Sequence, residues 1–296
     1  MGHLIFFIKI LVISLQTNLG ESILSYADIV YKNLINDICA NGTWDYNEDV
    51  RTHYKDGEKA YAKSLFGYQV KFPKGVVPLI TTKKVFTQIA IKEMLLFWVH
   101  QTVKKEDFDN WNVKIWSEWF KEDGTLGVSY AAQFQKGERN QVVELIKGIK
   151  ENPKSRRLMT SFWDFENAPN KALQECAWAT QWDVRNGCLN LILIQRSVDT
   201  ALGLPFNWFQ YSVLQHLIAH CCGLEVGEFT HQMGNVHYYD RHEKLLLEQV
   251  NYDIYVSEPK ILINESLKDF FNTEISDITL LDYECSEENF KYDIAV

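Results

Sequence analysis

A thiolate beside a guanidinium is a nucleophile for electron-poor carbon, and the residue order brings these two groups together at one place. The stretch between Thr180 and Arg196 reads as two strands joined by Asn186-Gly187, the strongest short hairpin signal a sequence carries. With a two-residue loop Val184 pairs with Leu189, and counting outward sets Cys176 opposite Ser197 and beside Arg196. A single bulge exchanges which of Ser197 and Arg196 shares the face of Cys176. Either register converges a thiol, a hydroxyl and a guanidinium. Cys39, Cys188, Cys221, Cys222 and Cys285 have no comparable neighbour in sequence and read as structural.

The elements around this hairpin mix helix and strand signals, so the class is α+β. Residues 26–41 form an amphipathic pattern with Ile29, Leu34, Ile35 and Ile38 on one side and Gly42 as a stop. A polar loop holding Arg51 follows, then a strand from Ala62 to Phe72, then an apolar helix from about Val85 to Val99 that carries Glu93. Position alone sets Glu93 at a rim, whereas burial among Ile89, Ile91, Met94 and Phe97 would raise its pKa. After a Leu202-Gly203-Leu204-Pro205 turn, residues 207–222 read as a long core helix, with Asn207 as its cap and Gly223 ending it.

With 296 residues, 46% hydrophobic and 23% charged, the chain has enough apolar material for a sizeable core. The 6 Pro and 15 Gly are scattered, which predicts one domain without a linker. A net charge of −9 excludes a surface built to hold nucleic acid, so an anionic ligand must be gripped by local arginines. The cysteines show neither a C-x-x-C pair nor a zinc spacing, predicting no metal, no disulfide scaffold and a reducing, cytoplasmic setting. Residues 3–15, HLIFFIKILVISL, lack a basic start and a small-residue cleavage site and are too short to span a bilayer. Residues 1–25 are therefore expected to be an apolar extension, with no membrane partner, ahead of a catalytic domain over residues 26–296.

Pro153-x-Ser-Arg-Arg157, Cys176, Gln195-Arg-Ser-x-Asp199, Leu202-Gly-Leu-Pro-Phe-Asn207 and Gly234-x-x-His-x-Tyr239 occur in one order. In this the chain resembles the thymidylate synthases, from about Tyr26 to the C-terminus, including Thr81-Thr-Lys-Lys84, Lys92-Glu93, Ile115-Trp-x-x-Trp119 and the final Ala295-Val296. It looks like the form found in Bacillus and its phages. The resemblance implies a fold with a large mixed sheet and a long core helix, two such sheets stacking at a homodimer interface. It implies that Cys176 adds to carbon 6 of dUMP, making carbon 5 a nucleophile toward 5,10-methylenetetrahydrofolate, the folate co-substrate. Arg51, Arg196 and Ser197, with Gln195 and Asp199 in the same segment, match the dUMP site, and Arg156 and Arg157 match arginines that reach in from the other subunit. Asn207 matches the residue that reads the uracil edge, His237 and Tyr239 the pair on the sugar 3′-hydroxyl, Glu93 the general acid/base and Tyr130 the tyrosine linked to proton removal from carbon 5. Trp116, Trp119, Asp199, Leu202, Gly203, Phe206, Ala295 and Val296 match the folate site, the last two as a closing tail.

Several residues depart from that pattern. Glu175 stands where the family commonly has Pro, which puts a negative charge beside the thiol and opposes its ionisation. Ala177 stands where many members have His, Ala131-Ala132 follow Tyr130, and Asn235 replaces an Asp. These changes keep two alternatives open: a deoxyuridylate hydroxymethylase of the same fold, in which water finishes the reaction, and a catalytically lapsed binding protein. Trp116 and the Ala295-Val296 tail favour the synthase, because both help exclude water.

Overall fold

The computed structural model describes residues 25–168, 171, 173–252, 258–288 and 290–296. The apolar stretch 3–15 lies outside the described residues. The first helix, α1 (Tyr26–Asn41), is capped by Ser25, whose side chain accepts from the Asp28 backbone N–H, and it stops at Gly42. Its inner face, led by Tyr31, Leu34, Ile35 and Ile38, is buried.

Six strands make one mixed sheet, labelled here in chain order: β1 (Thr43–Asp45), β2 (Ala62–Phe72), β3 (Met159–Ser161), β4 (Ala177–Arg185), β5 (Cys188–Asp199) and β6 (Glu225–Tyr239). Their spatial order is β1-β2-β6-β5-β4-β3. Only β5 and β6 run parallel, as a crossover connection requires. That connection is α5 (Gly203–Cys221), buried along most of its length through Trp208, Phe209, Val213, Leu214 and Leu217. The sheet's other face is open in the single chain, where Phe66 of β2 is 87% exposed.

Between β2 and β3 the chain forms α2 (Thr87–Met94), α3 (Lys105–Asn110) and α4 (Gln141–Glu151). The apolar helix expected from Val85 to Val99 is α2 followed directly by a π-helical turn over Leu95–Val99. Such wide turns are rare and gather at functional sites, and this one begins two residues after Glu93. A last helix, α6 (Glu243–Val250), and a small hairpin of β7 (Lys260–Ile263) with β8 (Ile278–Leu281) complete the chain.

The β4–β5 hairpin has the expected turn. Asn186 and Gly187 both take positive φ, 51° and 75°, the pair a tight two-residue loop demands. Val184 pairs with Leu189 as counted from the loop, but the register slips between Ala177 and Ala179. Trp178 is the extra residue, and its carbonyl accepts the Phe162 N–H on the β3 side. The bulge moves Cys176 off Ser197 and onto Arg196, whose backbone N–H donates to the Cys176 carbonyl at 2.8 Å.

Asn207 is not a helix cap. The turn expected at residues 202–205 is the first turn of α5, because Pro205 sits where a missing N–H is tolerated. Asn207 is thereby left inside the helix with its amide free for side-chain partners.

Asp28 ties α1 to the loop at 81–84. Its buried carboxylate accepts from Ser25 Oγ at 2.7 Å, Thr81 N at 2.8 Å, Thr81 Oγ1 at 2.6 Å and Thr82 N at 3.3 Å. Replacing Asp28 with alanine orphans these donors and should cost about 3 kcal/mol in a denaturant titration. A loss below about 1 kcal/mol would mean that the loop is held by other contacts.

Candidate active site

Cys176, Glu93, Trp116, Tyr130 and Asn207 line one cleft between α5, the α2 segment and the start of β4. The thiol is largely buried, and its position is set from both sides. Arg196 lies against it, with Nη2 4.0 Å from Sγ, while Nε donates to Glu175 O and Nη2 to Gln174 O, both at 2.9 Å. On the other side the Cys176 backbone N–H donates to Tyr130 Oη at 3.2 Å. A glycine at 234 is required here, because a Cβ on β6 would stand 2.8 Å from the Arg196 carbonyl oxygen. Burial pushes the thiol pKa up, the Arg196 charge opposes that rise, and Glu175 adds to it.

The carboxylate at 175 raises the thiol pKa as expected, yet it does not stand alone. Lys171 pairs with it at 2.6 Å.

Glu93 is buried, not at a rim. Trp116 Nε1 donates to one carboxylate oxygen and Gln210 Nε2 to the other. Burial outweighs both donors and pushes the Glu93 pKa up to about 7, the range in which a group both gives and takes a proton at neutral pH. Phe97 stacks on Tyr130 and meets Trp116 edge-on, so the wall of the cleft is rigid and apolar.

Asn207 Oδ1 accepts from Gln195 Nε2 at 3.2 Å, and the same Nε2 donates to the Ser197 carbonyl at 3.0 Å. Gln195 Oε1 is buried without a donor among the described residues, the mark of a site that a ligand or water completes. Asp199 pairs in register with His237 across β5 and β6, and its Oδ1 accepts from the Ala201 N–H at 2.8 Å. The His237 and Tyr239 rings lie 5.2 Å apart on one face of β6, as their spacing predicts.

Arg51 is exposed on the loop before β2, yet its charge reaches both Cys176 and Tyr239. Arg156 and Arg157 are exposed on the loop between α4 and β3, and Arg157 lines a separate hollow with Lys136 and Arg139. This chain does not bring them to its own cleft. Leu202, Gly203 and Phe206 are partly buried at the start of α5, and Trp119 shares a small cavity with Trp116. Ala295 bridges Tyr54, and Val296 exchanges backbone bonds with His53 at 2.8 and 3.0 Å, so the tail is paired to the loop that carries Arg51.

Three residues were not singled out in the sequence. Gln210 lies three positions after Asn207 on the same helix, a polar residue in an apolar run, and that spacing is the signal that reveals it. Lys83, within the Thr-Thr-Lys-Lys motif, is buried against the Tyr292 ring with its ammonium on the Ala201 carbonyl. Burial lowers its pKa to about 8. Lys171 pairs with Glu175 from a loop that carries no periodic signal. Among the described residues no helix is long and apolar enough to cross a membrane.

The family model described as thymidylate synthase matches residues 29–296. The thymidylate synthase of Bacillus subtilis subsp. natto is 38% identical over 277 residues, covering 91% of this chain and 99% of its own. That of Bacillus phage phi3T is 38% identical over the same shares. A solved structure, thermostable thymidylate synthase A from Bacillus subtilis, superposes with a TM-score of 0.87 at 38% identity, covering 91% of this chain and 99% of that one.

Proposed function

This chain belongs to the thymidylate synthase family, and from that premise we propose that it catalyses the reductive methylation of dUMP to dTMP, with 5,10-methylenetetrahydrofolate giving dihydrofolate. The observation that carries this reading is one cleft holding a thiol against a guanidinium, a carboxyl with its pKa near 7 and a helix-borne amide.

Cys176 adds to carbon 6 of the uracil ring, which is inert without that step. Electron density then moves onto O4 and carbon 5, and carbon 5 becomes the nucleophile. Glu93, its pKa raised by burial to about 7, supplies a proton toward O4 through water and later takes one back. Tyr130 takes part in removing the carbon 5 proton, a role supported by its hydroxyl lying against the nucleophile, where it accepts the Cys176 N–H. Arg51, Arg196 and Ser197 hold the phosphate, joined by Arg156 and Arg157 from the partner subunit of a homodimer. Their exposure here, away from the chain's own cleft, supports that arrangement. The open sheet face with Phe66 is the surface on which the two subunits stack. His237 and Tyr239 bind the sugar hydroxyl.

The residues fit a folate. Trp116 and Trp119 offer ring surface, Leu202 and Phe206 are apolar and only partly buried, and Asp199 offers a carboxylate for a hydrogen-bonding edge. When bound, the folate supplies the one-carbon unit and the hydride. Gly203 leaves room beside Asp199, and the paired tail at Ala295 and Val296 excludes water. Residues 26–296 form the catalytic domain, residues 1–25 an extension, and the setting is cytoplasmic.

Asn207 accepts from uracil N3–H and donates to O4, a pattern that cytosine inverts. Asn207→Asp should lower kcat/KM for dUMP by about 10²-fold and raise it for dCMP. An unchanged dUMP/dCMP ratio refutes this reading role.

A further inference from the structure

Lys171 and Glu175 form a buried ion pair that none of the roles above uses. The ammonium lies 2.6 Å from Glu175 Oε1, with the two side chains 3% and 1% exposed. Asp164 is the other carboxylate near that ammonium, at 4.0 Å. The same Glu175 oxygen accepts from Ser129 Oγ and from the Tyr130 backbone N–H, each at 3.3 Å. Tyr130 needs such support. Its φ is +37°, in the left-handed region that costs a side-chain-bearing residue energy and persists only where the surroundings impose it. The Tyr130 hydroxyl in turn takes the Cys176 N–H, while the Arg196 guanidinium grips the carbonyls of Gln174 and Glu175. Residue 175 is therefore fastened by its side chain to the Tyr130 segment and by its backbone to the guanidinium that faces the thiol.

We propose that Glu175 and Lys171 are paired positioning residues for Cys176: the Glu175 carboxylate anchors Tyr130 against the nucleophile, and the buried Lys171 ammonium cancels the negative charge this anchor brings beside the thiolate. The proposal rests on the reading of Cys176 as the nucleophile. Neither residue lines the cleft that holds Cys176 and Glu93. An unpaired carboxylate one residue from the thiol would disfavour the thiolate, and an unpaired ammonium would favour it. The other ionisable groups that act on the thiol are Arg196 and Asp199 on β5 and Arg51 on the loop before β2, with Tyr130 and Tyr239 also sensing its charge. Changing the pair removes none of these five groups.

The test follows iodoacetamide modification of Cys176 by peptide mass spectrometry on the full chain between about pH 7 and pH 11, a range extended above the ordinary thiol value because burial pushes this thiol up. Lys171→Met should raise the pH midpoint and Glu175→Gln should lower it, each by about half a pH unit or more, because each leaves one member of a buried pair uncompensated next to the nucleophile's segment. The double variant, electrically like the native pair, should return close to the wild-type midpoint, and Lys171→Arg should keep it. Single variants that shift the same way, or do not shift, overturn the proposal, because a pair that only braced the loop has no sign. Should the single variants not fold, a second double variant, Lys171→Met with Glu175→Leu, which removes the acceptor as well as both charges, carries the test through turnover. With Tyr130 unanchored, kcat should fall at least about tenfold while KM for dUMP stays within about twofold, and an unchanged kcat overturns the proposal. In the wild type, turnover should disappear in step with Cys176 labelling. Turnover that survives complete labelling refutes the nucleophile reading instead, and leaves the midpoint comparison standing.

Discussion

Cys176→Ser is expected to lower turnover by at least about 10³-fold while dUMP still binds within about threefold of the wild-type Kd. The two halves of this result have separate causes. Turnover falls because a serine hydroxyl beside Arg196 remains protonated at neutral pH, whereas a thiol ionises in part even when burial works against it. Binding should persist because the proposed phosphate grip (Arg51, Arg196 and Ser197, with Arg156 and Arg157 from the proposed second subunit) and the proposed uracil-reading amide at Asn207 do not include the sulfur. Serine is also smaller than cysteine, so the cleft gains no clash. Calorimetric titration with dUMP and a turnover assay read the two quantities independently. Retained turnover would move the nucleophile to another residue.

Glu93→Gln is expected to lower kcat by about 10²- to 10⁴-fold and to flatten the pH dependence near neutrality, because an amide of the same shape moves no proton. Trp116 keeps an acceptor in the glutamine oxygen, and the Gln210 amide, turned over, accepts from the new NH2, so the loss belongs to proton transfer more than to packing. The same substitution carries a stability signature whose sign is fixed. Glu93 is raised from 4.5 in the unfolded chain to about 7 in the fold, so between those values the native state binds more protons than the unfolded one. Stability contributed by the neutral carboxyl is full below about pH 4.5 and is lost as the pH rises through about 7. Glutamine does not titrate. The variant should therefore gain on the wild type by about 3 kcal/mol between pH 4.5 and pH 8, measured by denaturant unfolding. A gap that does not change with pH would mean that Glu93 titrates as an ordinary surface carboxyl, and its acid/base role would lose its physical basis.

The parts of the fold that local rules dictate were legible in the sequence. Asn186-Gly187 determines a turn by its positive φ values, and α1 and β2 follow from patterns of period 3.6 and from bounded strand runs. What depends on contacts distant in sequence was not. The bulge at Trp178 answers to β3, a partner that the hairpin itself does not contain. Pro205 has the same residue signature in a turn and in a first helical turn, so the start of α5 and the freedom of Asn207 were hidden. Glu93 is polar in an apolar helix, which fits a rim or a satisfied burial equally, and its donors come from Trp116 and from α5. Glu175 read as a liability because Lys171, in a loop without periodicity, leaves no trace of the pair it makes. The order of the motifs carried the family; the protonation chemistry within it required the packing.

What leaves the cleft after the thiol has attacked separates a synthase from a hydroxymethylase. Incubating the full chain with dUMP and 5,10-methylenetetrahydrofolate and weighing the nucleotide by mass spectrometry tests this most directly. The expected product is dTMP, formed in step with dihydrofolate. Hydroxymethyl-dUMP with tetrahydrofolate would show that water finishes the reaction and would contradict the synthase reading, and unchanged dUMP would contradict catalysis altogether.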